Sequence, residues 1–147
     1  MTPVGALALL KALQVNTTLT TLSMLPVRDL KNNGVTELNL LKKDVDDCHT
    51  IVLAGLLQHN TSVYKVVLSE NHIGDIGATA LADALCVNQS LVTLALYDNV
   101  IGDEGVVALG DALRENTSLT FLDLENNKFG DTGTVRVAEA LRENQTY

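Results

Sequence analysis

The sequence contains no tryptophan, and only two phenylalanines and three tyrosines among 147 residues. Large rings therefore cannot organise the interior, and the core must be built from small and aliphatic side chains, which suits closely stacked, repeated units. Cysteine is as scarce, with Cys48 and Cys86 alone, so no disulfide framework is available and a cytoplasmic chain with reduced thiols is the simplest reading. Basic residues are outnumbered ten to eighteen by acidic ones, for a formal charge of −8. That balance repels phosphate backbones and anionic membranes, so neither nucleic acid nor membrane is an expected partner. No apolar run reaches the ~18 residues of a membrane span. The apolar stretch from Val4 to Leu13 is short and carries Lys11, so it is not read as a signal peptide. A chain of this length still buries roughly 70% of its unfolded surface, enough for a core without metal or disulfides.

What is abundant is internal repetition. Asn60, Asn88, Asn116 and Asn144 recur every 28 residues, and the segments between them align without gaps. Val63, Leu91 and Leu119 open three units, followed at the fourth and sixth places by Val66/Leu68, Leu94/Leu96 and Leu122/Leu124. Asn71, Asn99 and Asn127 hold the ninth place, and then come Ile73-Gly74-Asp75, Ile101-Gly102-Asp103 and Phe129-Gly130-Asp131. Gly77, Gly105 and Gly133 follow. The frame extends back through Val35, Leu38, Leu40, Val45, Asp47, Leu53 and Leu57.

Each part of the unit has a physical role. Apolar residues at alternate places predict a short strand. The ninth-place Asn is suited to pairing backbone groups where the chain leaves the strand. Asp75, Asp103 and Asp131 are expected as N-caps of the helices that follow. Spacing such as Ala80-Leu81 and Ala84-Leu85 gives an apolar helical stripe. Asn88, Asn116 and Asn144 are expected as helix-ending residues in the left-handed region. The whole is an α/β solenoid: a curved parallel sheet inside, α-helices outside, with about five strands and about five helices.

These units resemble the 28-residue leucine-rich repeat of ribonuclease inhibitor and, more closely, of NOD-like receptors. Their pattern is similar to N-x-S-L-x-x-L-x-L-x-x-N-x-I-G-D-x-G-A-x-A-L-A-x-A-L, carried by residues 60–147 and more loosely by 32–59. The resemblance is specific for fold and nearly silent on function, because such repeats bind unrelated ligands. It implies a ligand-sensing or autoinhibitory role if a nucleotide-binding region lies elsewhere in a larger receptor-like protein. The Ran GTPase-activating protein also uses repeats of this kind, but no residue here matches that activity.

The chain reads as one domain, 1–147, with an irregular start over 1–33 and regular repeats over 34–147. Gly5 to Leu13 matches the repeat helix at Gly77 to Leu85. Asn16, Leu19, Leu22 and Met24 predict a strand, but 16 residues separate Asn16 from Asn32, leaving Pro26 to Asn33 as a tight connection. Lys43 replaces the ninth-place Asn of the next unit. Both ends cut through a repeat without a polar capping unit, so the chain reads as a piece of a longer array.

Chemistry-bearing motifs are few. Asp44 to His49 brings Asp, Cys and His together, yet Asp47 falls at the helix-cap place and no second Cys/His pair supports a metal. Asn-x-Ser/Thr sequons at Asn16, Asn60, Asn88, Asn116 and Asn144 coincide with the helix-to-strand turn, and are read as turn residues rather than glycan acceptors. Gly-Asp-x-Gly lacks the basic flanks of a nucleic-acid clamp. Cys86 shares a column with Arg114 and Arg142 at the helix ends, where a reactive thiol is conceivable but undemanded. No catalytic residue, cofactor or metal site is expected, and the chain is not read as an enzyme.

Places three, five, seven and eight should face the concave side. Down the stack they read Thr21, Glu37, Lys65, Thr93, Phe121; Ser23, Asn39, Val67, Ala95, Asp123; Leu25, Leu41, Ser69, Tyr97, Glu125; and Pro26, Lys42, Glu70, Asp98, Asn126. These columns vary while the scaffold does not. The expected protein-binding set is Lys65, Val67, Glu70, Thr93, Ala95, Tyr97, Asp98, Phe121, Asp123 and Glu125. Tyr97 and Phe121 are the aromatic anchors, and the surrounding carboxylates suit a partner protein with a basic patch. The alternative is a structural unit that self-associates through uncapped ends.

Overall fold

The computed structural model of the protein describes residues 2–144. The elements run α1 (Pro3–Val15), α2 (Val27–Lys31), β1 (Glu37–Asn39), α3 (Asp47–Leu57), β2 (Lys65–Val67), α4 (Asp75–Val87), β3 (Thr93–Ala95), α5 (Asp103–Glu115), β4 (Phe121–Asp123) and α6 (Asp131–Glu143). Four strands form one parallel sheet in the order β1-β2-β3-β4. Glu37, Lys65, Thr93 and Phe121 stand in one row and Asn39, Val67, Ala95 and Asp123 in another, so the 28-residue frame is the strand register. The helices form a second layer in which α1 packs on α3, and α3, α4, α5 and α6 on one another in turn. Between the layers lie the repeat aliphatics, with Val66, Leu68, Leu94 and Leu96 fully buried. No described helix is long and apolar enough to cross a membrane.

The described residues hold four strands and six helices, not five of each. The difference lies in the shortened unit. Leu22 and Leu25 exchange backbone hydrogen bonds across a tight turn (3.0 and 2.9 Å), with Ser23 at φ 51°, so no strand forms there. The stretch read as a bare connection closes into α2 instead. Leu25, assigned by register to the concave rim, is 2% exposed and belongs to the core. Sixteen residues cannot hold strand, loop and helix, and the chain spends them burying Leu25, Val27 and Leu30.

Buried amides join the repeats. Asn99 Nδ2 donates to the carbonyls of Leu68 and Leu96 (both 3.0 Å), while its Oδ1 accepts from Ile73 N (3.0 Å). Asn71 and Asn127 repeat this pattern one unit before and after. Each ninth-place Asn thus reaches back to the preceding strand. Lys43 is tolerated because the unit before it has no strand to reach.

Asn88 and its equivalents act similarly at the other end of the strand. Asn88 Nδ2 donates to Leu57 O (2.7 Å) and Asn60 O (2.9 Å), and its Oδ1 accepts from Ser90 N and Leu91 N (2.9 and 2.8 Å). Its backbone is extended (φ −72°, ψ 125°), so the expected left-handed conformation is absent. That conformation falls instead at place eight, where Lys42, Glu70, Asp98 and Asn126 have φ between 53° and 55°. At sequons 60, 88 and 116 the Asn is buried with its amide committed, which leaves no room for a glycan.

In the shortened unit a lysine replaces this amide. Lys31 Nζ donates to Leu13 O (2.8 Å) and Asn16 O (2.6 Å), the carbonyls equivalent to Leu57 O and Asn60 O. Lys31→Met is expected to lower stability by roughly 1–2 kcal/mol, since hydrogen bonds from a charged donor are worth somewhat more than neutral ones. Urea unfolding would show it, and a loss no larger than that of Lys11→Met would refute the role.

The aspartates also differ from expectation. The N-caps of α4, α5 and α6 are Gly74, Gly102 and Gly130, none with a side-chain cap of its own. Asp75, at the first helical position, reaches forward: its Oδ1 accepts from Gly102 N (2.7 Å) and Gly105 N (2.8 Å) of the next repeat. Asp47 serves Gly74 and Gly77, and Asp103 serves Gly130 and Gly133, in the same way. Each helix start is therefore capped by its predecessor, where the carboxylate also meets the positive end of the dipole. The cap of α3 itself is Asp46, which forms a capping box with His49.

Candidate functional site

The outer face of the sheet collects the side chains that the scaffold does not use. Lys65, Val67, Thr93, Ala95 and Asp123 are half-buried along the strands, and Phe121 is 52% exposed at the last one. Past the strand ends, Glu70 and Tyr97 are half-buried while Asp98 and Glu125 are exposed. The parallel register brings Lys65, Thr93 and Phe121 side by side, and likewise Val67, Ala95 and Asp123. Six of the ten expected residues thus stand in two rows across the sheet, and Glu70, Tyr97, Asp98 and Glu125 follow past the strand ends.

Charge is not spread evenly over it. Lys42 Nζ lies 2.7 Å from Glu70 Oε2. That hydrogen bond and charge, with Asp98 nearby, hold the Lys42 ammonium above the ordinary lysine range. Lys65 faces Glu37 at 3.6 Å. Asp123 and Glu125 form no ion pair among the described residues, and Asp98 has the Lys42 charge nearby without a direct ion pair, which makes the β3–β4 half of the face the acidic half. Tyr97 sits there with its hydroxyl accepting from Asn126 Nδ2 (3.2 Å), and Asp123 Oδ1 accepts from Glu125 N (3.1 Å).

Sequence reasoning passed over place two. Tyr64 and Val92 are 43% and 37% exposed at the N-terminal ends of their strands, bordering the same face. The Tyr64 hydroxyl donates to Glu37 Oε1. That hydrogen bond lowers the Glu37 carboxyl from the ordinary range and raises the Tyr64 phenol. The available signal was the variability of the column Thr36, Tyr64, Val92, Thr120. Glu37→Gln is expected to bring Tyr64 back towards an ordinary phenol, read as an earlier tyrosinate absorbance rise on alkaline titration. An unchanged titration would show that Glu37 does not hold it.

Away from this face, Asp46 accepts from His49 N (3.0 Å) and lies 2.6 Å from the His49 ring, so the residues that hinted at a metal form a helix cap. The described residues contain no group of three or more His, Cys, Asp or Glu placed to hold an ion. Partial burial and the neighbouring Asp83 and Glu115 push the Cys86 thiol up, the opposite of what activates a nucleophile.

The leucine-rich-repeat family profile matches residues 59–82, 87–110 and 115–138, one stretch for each of the three units opened by Val63, Leu91 and Leu119. The chain is a leucine-rich-repeat solenoid. Among solved structures, the solenoid is similar to actin-binding site 2 of leiomodin-1, with 29% identity over 80% of this chain and 71% of that one, at a TM-score of 0.74. It also shares its fold with the C-terminal domain of tropomodulin from Caenorhabditis elegans, with 20% identity over 79% of this chain and 89% of that one, at a TM-score of 0.54. No curated protein matches the sequence.

Proposed function

We propose that this leucine-rich-repeat solenoid is a protein-recognition module that seats its partner on the concave sheet face, around Tyr97 and Phe121. One observation carries the reading. Side chains at places one, four, six and nine repeat and are spent on the core and ladders, whereas those on the outer face change at every strand and stay available. Aromatic anchors beside Asp98, Asp123 and Glu125 favour a partner with an exposed basic segment. The likeness to the leiomodin-1 domain makes actin the first protein to test.

A sensing or autoinhibitory role inside a larger receptor-like protein is a finer version of the same reading, as is a cytoplasmic location. It rests on the repeat pattern alone, and the similarity to leiomodin-1 points elsewhere. GTPase regulation has no residue in its support.

The test is co-sedimentation with filamentous actin and binding to monomeric actin, with wild type and Tyr97→Ala/Phe121→Ala. Central aromatic anchors are worth on the order of 2 kcal/mol each, so the double variant should bind at least about thirtyfold more weakly. A folded double variant that binds actin as wild type does would move the site off this face. Failure of both proteins to bind actin would remove actin as the partner.

A further inference from the structure

The helix layer is not uniform on the side turned away from the sheet. In α3 that side carries the half-buried stripe Ile51, Gly55 and Gln58. The places equivalent to Gly55 in α4, α5 and α6 hold carboxylates, Asp83, Asp111 and Glu139. Two of these are spent on ion pairs. Asp111 Oδ1 lies 2.9 Å from Arg114 Nη1 and 3.0 Å from Arg136 Nη2, and Glu139 Oε2 lies 3.3 Å from Arg136 Nη1, which bridges α5 to α6. At the same place α3 has neither a charge nor a side chain.

The neighbouring helix makes that glycine necessary. A Cβ at Gly55 would fall 2.1 Å from Leu10 Cδ2, so Leu10 of α1 seats directly against the α3 backbone. An open cleft of about 210 Å³ results, lined by Leu7 and Leu10 of α1, Ile51 and Gly55 of α3, and Ala80 and Asp83 of α4. It follows α3 for about two helical turns. Leu7 is 48% exposed beside it.

Asp83 is the only charged residue lining the cleft. Unlike Asp111 and Glu139, it forms no ion pair among the described residues. Its field is felt one turn on. After burial, the charges of Asp83 and Glu115 are what push the Cys86 thiol up. The cleft is thus apolar along its length and negative at one wall.

We propose that the cleft over α3 is a docking site for a basic amphipathic helix of a partner protein. Apolar side chains three and four residues apart on that helix enter between Leu7 and Ala80, and a flanking lysine or arginine pairs with Asp83. Gly55 and Ala80 are small enough to let its backbone approach. Charge complementarity selects this occupant. A purely apolar segment would cover the Asp83 carboxylate without pairing it, and an acidic one would be repelled. The site lies on the helix layer, so the proposal stands without the reading of the concave face.

The probe is an alanine-based peptide about 15 residues long, with leucines three and four places apart on one face and lysines beside them. Saturable binding to the whole chain is expected, with amide chemical-shift changes at Leu7, Ile51 and Ala80. Asp83→Lys and Leu7→Gln each replace an exposed side chain, and each should weaken binding at least about tenfold. Glu104→Lys, the same charge change on α5, should leave it unchanged, and a peptide with glutamate in place of lysine should not bind. The proposal is overturned by absence of binding, by an equal loss in Glu104→Lys, or by shift changes confined to the strands. Self-association in sedimentation experiments that Leu7→Gln abolishes would overturn it too, by making a second copy of the chain the occupant.

Discussion

Asn116→Leu is expected to lower unfolding stability by about 4 kcal/mol and the melting temperature by roughly 12 °C. The side chain is fully buried. Its Nδ2 donates to Leu85 O (2.8 Å) and Asn88 O (2.9 Å), and its Oδ1 accepts from Ser118 N (3.0 Å) and Leu119 N (2.8 Å). Leucine is close in volume, so packing changes little and the loss comes from the backbone groups left behind. A buried donor or acceptor without a partner costs about 1–3 kcal/mol, and some of the four should recover water at the turn. Asn16 is the control. It makes the equivalent Oδ1 bonds to Thr18 N and Leu19 N (3.1 and 2.8 Å) but is exposed, so Asn16→Leu should cost under about 1 kcal/mol. Thermal and urea unfolding followed by circular dichroism would compare them. Equal losses would mean that the amide ladder contributes little.

Two glycines of α5 should respond to alanine with opposite signs. A Cβ at Gly105 would fall 2.8 Å from Asp75 Oδ1, 2.8 Å from Ile101 Cγ2 and 2.9 Å from Ala78 Cβ. Ile101 and Ala78 are fully buried, so neither has space to retreat. Overpacking of this kind costs about 1–3 kcal/mol, and displacing Asp75 also weakens its bond to Gly102 N (2.7 Å). Against this stands the helix preference for alanine over glycine, about 1 kcal/mol. With about 1 kcal/mol for the weakened bond, the net expectation for Gly105→Ala is a loss of about 1–3 kcal/mol. At Gly110 the nearest atoms to a new Cβ are the Arg136 and Val137 backbone at 3.5 Å, an ordinary contact. Gly110→Ala should therefore stabilise by about 0.5–1 kcal/mol, in keeping with Ala82 and Ala138 at the equivalent places. If both variants lose stability, the carboxylate-to-glycine junction is not what distinguishes them.

Much of the site was legible because a repeat reports its own variation. Places that hold Leu, Asn and Gly in unit after unit are scaffold, and the columns that change, such as Lys65, Thr93 and Phe121, must face away from it. Tyr64 escaped because strict alternation puts place two on the inner side. The chain breaks alternation there, burying Val63 and leaving Tyr64 exposed. The first unit was misread for a different reason. The register carried over from the 28-residue units put Leu22 in a strand and Leu25 on the rim, but a 16-residue unit does not keep that register, and the chain turns back on itself between them and buries Leu25.

By itself the sequence determined the solenoid and its 28-residue register, because local patterning repeated in phase sums to one consistent answer. The tertiary structure alone decided what each polar side chain holds. Asp75 reads as the cap of its own helix, yet its carboxylate serves a helix start 27 and 30 residues later. Asn99 accepts from a residue 26 before it, and Lys31 makes the bonds that the register assigns to Asn32, which stays exposed. A sequence names donors and acceptors, but which of them meet depends on stacking one repeat against the next.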